Sequence, residues 1–398
     1  MKLSAGHLTY CTNIHAGEDW SSHFAALKQN FPEIKKELSP DAPMGIGLRL
    51  SNIASVEILL GDNMAEFKQW LQKNNAYVFT MNGFPYGGFH HTVVKDQVHA
   101  PDWTTDDRLA YTIRLFHILA ALLPEGMEGG ISTSPLSYRH WFDTEEKLAE
   151  AKVTATKHIL AVAEELYLLN KQTGIYMHLD IEPEPDGILE TGREFIDWFE
   201  QDLLPRGIIH FTEKLKLTIA EAEELIKQHI TLCFDVCHFA IGYERYAEVL
   251  NELQQKGIKV GKIQVSAALK ATFSNDNSEA VLNEFAKFNE PIYLHQVIAK
   301  VDGELLRYSD LPDALSAVDE AEEWRAHFHV PVFLENFGLL QSTQSDIVEV
   351  LSIQKSNTFT SHLEVETYTW GVLPNEDKLP IAQSISRELA WVKNELTN

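Results

Sequence analysis

Short runs of apolar and β-branched residues alternate with long amphipathic stretches along the whole chain. This pattern predicts parallel strands, each covered by a helix. Strands are expected near Leu8 to Ile14, Gly45 to Leu50, Tyr77 to Asn82, Gly129 to Thr133, Ile175 to Glu182, Ile230 to Asp235, Val260 to Ser266 and His362 to Thr367. Eight such strands predict an α/β fold closed into a (β/α)8 barrel, as one domain over residues 1–398.

The helices between them carry recognisable ends. Thr218 followed by Glu221 is a capping box, and Gly257 closes the helix that begins near Glu244. Thr104 or Thr105 caps the stretch DDRLAYTIRLFHILAALL, with Asp106 and Asp107 well placed in its first turn. Ile381 to Leu396 reads as a closing helix.

The spacing breaks once. About a hundred residues separate the starts of the seventh and eighth strands, against roughly thirty to fifty-five elsewhere. A β-rich insertion over about residues 270–335 is expected there, with a hairpin signal at Asp302-Gly303 and a third strand in Ala326 to Phe333. Such an excursion from a βα connection is expected to lie over the active face. A rival count takes Ala326 to Glu335 as a barrel strand and makes Glu335 a site residue; the helix pattern in Ser342 to Leu351 favours the first count.

Composition narrows the partners. The chain is 44% hydrophobic and 23% charged, ordinary for a globular protein. Its 33 Lys and Arg against 58 Asp and Glu give a formal charge of −25, which argues against nucleic acid and anionic membrane as partners and for a small-molecule metabolite. Three cysteines without a framework, no secretory pattern at the N-terminus and no apolar run of about 18 residues predict a cytoplasmic protein without stable membrane insertion. Protein partners leave no signature.

Candidate chemistry collects at the strand ends, which a parallel barrel brings to one face. Glu182, Asp235 and Glu366 each end an apolar strand, and His238 follows Asp235 in an Asp-x-x-His spacing. Each alone could cap a helix or pair with a lysine; together they need a cation or protons to coexist. Carboxylates suit Mg2+ or Mn2+, and an added imidazole favours Mn2+, Co2+ or Zn2+, so a divalent ion is the expected cofactor. Gln264 could add a neutral ligand at the seventh strand, although an amide there more often bonds its neighbours. Glu184 and Glu364 share strand faces with Glu182 and Glu366 and are their alternates. The loops after the strands supply Asn13, His15, Asn82 and His90 as substrate contacts, with Arg49 at the second strand end; turn chemistry explains their glycines equally well. His295, His327 and His329 lie in the insertion and could fold over the site. Cys233 is read as core. The Gly-x-Ser-x-Gly, phosphate-loop and Cys-x-x-Cys patterns are missing, which removes serine hydrolase, P-loop and structural zinc readings.

The order Glu, Asp-x-x-His, polar seventh-strand residue, Glu resembles the xylose isomerase-like barrel superfamily of sugar isomerases, epimerases and endonucleases of the fourth type. The strings HLTYCTNIHAGEDW, GIGLRLS, VFTMNGFPYGGFH, VKDQVHAPDW, HLDIEPEP, KIQVSAAL, HFHVPVF and HLEVETYTWGVLP, spread over residues 7–374, are similar to the EboE family of metabolite traffic proteins. The superfamily resemblance implies Glu182 and Glu366 as paired acid/base ligands, Asp235 as a ligand, and His238 as a ligand or substrate contact. It departs at Gln264, where the superfamily usually has His. The implied function is a metal-dependent isomerase- or epimerase-like enzyme acting on a small polyhydroxylated or carbonyl metabolite. The alternative is a binding or trafficking protein that keeps the pocket without turnover.

Overall fold

The computed structural model describes residues 1–90, 92–274, 276–317, 321–373 and 379–397; Pro374, at the end of one of the motifs above, lies outside them. Eight parallel strands form the barrel: β1 Gly6–Tyr10, β2 Met44–Arg49, β3 Ala76–Asn82, β4 Gly129–Thr133, β5 Met177–Ile181, β6 Ile230–Asp235, β7 Val260–Val265 and β8 His362–Val365. β1 pairs with β8, and each later strand with its predecessor from β3 to β8. The seam between β1 and β2 closes through a single parallel bridge, Cys11 to Gly47. Threonine hydroxyls supplement it: Thr9 Oγ1 donates to Gly45 O at 2.9 Å and accepts from Gly47 N at 3.1 Å, and Thr12 Oγ1 accepts from Arg49 N at 2.8 Å.

These strands are buried on both faces, hence their near-continuous apolar character. Their outer residues, such as Leu179, Phe234 and Leu363, join one hydrophobic core with the helices. Thr105 caps α1 (Asp106–Leu122), Thr144 caps α2 (Glu145–Thr173), and the Thr218/Glu221 capping box opens α3 (Ile219–His229). Gly257 ends the helix Tyr246–Lys256 at φ 67°, in the left-handed conformation that suits glycine.

Strand ends differ from expectation in a consistent way. β1 stops at Tyr10 and gives way to a 3-10 turn at Thr12–Ile14, while β5 and β8 stop one residue before Glu182 and Glu366. The ladder ends where loops peel away at the mouth. One further hydrogen bond still pins each glutamate: Glu182 N donates to Thr133 O at 3.0 Å, and Glu366 N to Val265 O at 3.1 Å.

Between β7 and β8 the chain builds a second, antiparallel sheet. Its order is Glu304–Tyr308, Val297–Val301, Glu323–Val330, Ala267–Thr272, Leu340–Ser342 and Asn336–Phe337. The hairpin turns at Asp302-Gly303, both at positive φ. The rival count is overturned, because Glu323–Val330 pairs antiparallel with Ala267–Thr272 and Val297–Val301 and never joins the barrel. Glu335 accordingly sits beyond this strand, outside the barrel. The register of Glu323–Val330 slips between Ala326 and His329, a bulge of the kind that redirects side chains beside functional sites.

Candidate functional site

The C-terminal ends of the strands surround a cavity of about 60 Å³, lined in part by Asn13, Asn82, Glu182, Glu184, His238, His329 and Glu366. Asp235 ends β6 and caps the short helix Val236–Ile241. Its Oδ1 accepts from His238 N at 3.1 Å and from Ser266 Oγ at 2.7 Å, while Oδ2 has no partner. Glu182 Oε1 lies 3.7 Å from His238 Nδ1, and its Oε2 is buried without a partner. Glu182, Asp235 and His238 offer donor atoms within 4.8 Å of one another, as do His238, His327 and His329.

Glu366 is held by three neutral amides. Asn13 and Asn82 each donate to Oε1 at 2.8 Å, and Gln264 donates to Oε2 at 2.6 Å. The Gln264 oxygen meanwhile accepts from Cys233 Sγ at 2.6 Å. Gln264, expected as a neutral ligand, thus bonds its neighbours through both ends of its amide and orients the Glu366 carboxylate. The nitrogen donor missing at β7 comes from the second sheet. His329 Nδ1 bonds Glu366 O at 2.9 Å, and its buried Nε2 is unpartnered.

Burial sets the electrostatics. Desolvation, reinforced by Glu366 and Asp235, pushes Glu182 well above the usual carboxylate range; desolvation and Asp235 raise Glu366. Burial lowers His329 to about 4, and burial with nearby His238 and His329 holds His327 well below the usual imidazole value. The imidazoles are thus neutral and ready to ligate, whereas the carboxylates lack a compensating charge. Glu182 groups with Asp235 and His238, and Asp235 also with Cys237 and His329; these overlapping sets, in which Glu182 Oε2, Asp235 Oδ2 and His329 Nε2 are unpartnered, offer the mixed oxygen and nitrogen donors that a divalent ion of the Mn2+ to Zn2+ type takes.

The other candidates divide. Glu184 lines the cavity, with its Oε1 3.1 Å from His99 Nε2. Glu364 lies one layer below Glu366, ion-paired with Lys262 at 2.6 Å, and is no alternate for it. Arg49 is not on the cavity wall; it pairs with Glu18 at 3.1 Å and bonds the carbonyl of Gly87, fastening the loop after β3. His15 bonds Tyr10 Oη at 3.1 Å, and His90 bonds the Asn13 carbonyl, so both support rather than line the site. His295 faces away, bonded to Glu290 at 2.7 Å and to the His327 carbonyl at 2.8 Å. Sequence reasoning missed His99, Gln296 and Tyr368 as lining residues. His99 stood in a quoted motif, VHAPDW, without an acidic partner in sequence to mark it.

No family model matches the chain, and no curated protein does. Among solved structures it is similar to the IolI protein with a binding zinc atom (12% identity, TM-score 0.49, 98% of each chain). It is also similar to a xylose isomerase-like TIM barrel protein from Mycobacterium smegmatis in complex with magnesium (9%, 0.47, 96% of this chain and 92% of that one). A third is the probable 3-DHS dehydratase AsbF from Bacillus anthracis (9%, 0.45, 98% and 99%). At these scores the barrel assignment rests on this chain's own strand order.

Proposed function

We propose that the protein is a metal-dependent, isomerase- or epimerase-like enzyme acting on a small polyhydroxylated or carbonyl metabolite. The observation that carries this reading is the pair of buried glutamates, Glu182 after β5 and Glu366 after β8, lining one cavity beside the unpartnered donors of Asp235 and His329. Glu182, Asp235, His238 and His329 would hold a divalent ion, whose chemistry is to polarise neighbouring substrate oxygens and acidify the adjoining C–H. The chain's own residues do the rest. Glu366, fixed by Asn13, Asn82 and Gln264, presents a carboxylate of set orientation to accept or return a proton. Glu182 stands three strands away around the ring for the complementary transfer. Phe84, Phe89, Tyr293 and Tyr368 wall the cavity and limit water. Within this reading, the resemblance to EboE proteins supplies the competing possibility of carriage without turnover.

The test is proton exchange. A hydroxy-carbonyl compound selected by thermal shift should acquire deuterium when wild type and Mn2+ act on it in heavy water. Glu366→Gln should bind the same compound and exchange about 10²–10⁴-fold more slowly. A compound that binds through the ion yet shows neither exchange nor conversion in wild type would sink the enzyme reading and leave the carrier.

A further inference from the structure

The opposite end of the barrel holds a second set of metal-ligating side chains. Glu128 precedes β4, His178 lies near the start of β5, and His362 opens β8; their donor atoms lie within 4.8 Å of one another. Parallel strands deliver their N-terminal side chains to this floor as they deliver the C-terminal ones to the mouth. Glu128 and His362 line an open hollow of about 1560 Å³, with His7, Tyr77, Tyr176 and Lys393 also on its wall.

Two further observations point to a ligand. His362 is 1% exposed, and its Nδ1 has no hydrogen-bond partner. His178 donates through Nδ1 to Asp180, which also accepts from Thr231 at 2.5 Å. A carboxylate behind the far nitrogen of an imidazole fixes its tautomer and leaves Nε2 as the lone-pair donor, the arrangement found behind metal-bound histidines. Gly130 makes room for it: a Cβ there would stand 2.4 Å from His178 Cε1. Lys262, whose charge bears on His362, is bound to Glu364 at 2.6 Å.

We propose that Glu128, His178 and His362 form a second divalent-metal site, of zinc type, at the floor of the barrel, with an open coordination position facing the hollow. Two imidazoles and one carboxylate are a zinc donor set, and three protein ligands leave a position for water or a small anion. The glutamate and the Asp180 behind His178 balance the ion's charge. Tetrahedral coordination would tighten the present spacing of the donors.

Zinc alone is the probe. Chelator-stripped wild type titrated with Zn2+ at neutral pH is expected to bind about one equivalent more than His362→Gln, whatever the mouth of the barrel holds. Glu128→Gln, at a partly exposed side chain, tests the same site without disturbing the core and should weaken that equivalent at least about tenfold. An anomalous map at the zinc edge should place a peak between Glu128, His178 and His362. Equal stoichiometry and affinity in wild type, His362→Gln and Glu128→Gln, or zinc found at the mouth alone, would overturn the proposal. Should His362→Gln fail to fold, Glu128→Gln and the map decide it.

Discussion

Glu364 in β8 and Glu366 one residue past its end stand two residues apart, point to the same side of the chain, and live in opposite electrostatic worlds. Glu364, one layer down in the barrel, faces the Lys262 ammonium, which also donates to Met81 O at 3.0 Å and Ser132 Oγ at 3.1 Å. Glu366, at the mouth, accepts from three neutral amides, with Asp235 and Glu182 nearby. Gly47 permits the lower arrangement, since a Cβ there would lie 1.9 Å from Glu364 Oε1. A lysine ammonium neutralises its carboxylate, making the pair part of the fold. An amide cage fixes a carboxylate's direction while leaving its charge unanswered, and so keeps it available to a cation, a proton or a substrate.

The largest expected effect comes from breaking the lower pair. Lys262→Met should cost about 3–5 kcal/mol, because Glu364 is then buried without a counter-charge. Lys262→Met with Glu364→Leu should recover much of that loss, since an apolar pair needs no charge compensation. Urea unfolding of chelated protein measures both. A single substitution costing under about 1 kcal/mol would show that the lysine is not what holds Glu364.

Glu366→Gln should behave in the opposite sense. The native state raises this carboxyl above its unfolded value of about 4.3, so it binds a proton more tightly than the unfolded chain does. Stability of metal-free wild type is therefore lost through this group as pH climbs from about 4.3 through the raised value, and is level above it. Glutamine does not titrate, and it also relieves Glu182 of a like charge. The stability of Glu366→Gln relative to wild type should rise with pH, by at most about 1.4 kcal/mol per pH unit for this group. The buried histidines run the other way, losing stability as pH falls below about 6.5, but they are common to both proteins and cancel in the difference. A difference that is flat with pH in chelated protein would remove the idea that Glu366 lacks a counter-charge. Added Mn2+ should restore wild type more than the variant.

The contrast between these two glutamates was only half legible in sequence. Period two placed them on one face, and the strand pattern located all eight barrel strands, because apolar runs bounded by helix caps are local signals. Nothing local identified Lys262, more than a hundred positions from Met81 and Ser132, as the partner that separates their roles. Gln264 is a similar case: residue type suggests a ligand, while its bonds to the Cys233 thiol and Glu366, which fix where its amide points, leave no local signal. His327 and His329 reach the site through a bulge in the second sheet, and a slip in register leaves no mark in hydrophobic periodicity.

The smallest expected effect is no effect. If the unanswered charge at the mouth belongs to a cation and a neutral metabolite, DNA carrying abasic sites should be neither bound nor nicked at physiological salt. Phosphate binding needs free Lys or Arg, and each contact releases counterions, so affinity without them is slight. Among the described residues of the cavity wall, the one lysine, Lys95, is paired with Asp310 at 2.6 Å, and Arg49 behind the wall is paired with Glu18. The histidines there are neutral, since burial lowers His99 to about 3 and His329 to about 4. Wild type and Glu182→Gln should then be indistinguishable from buffer in a gel assay of an abasic duplex with Mn2+. Salt-dependent nicking that wild type performs and Glu182→Gln loses would mean that the mouth recruits phosphate through its metal, and the contrast between the amide-held and lysine-held glutamates would have to be redrawn around an anionic substrate.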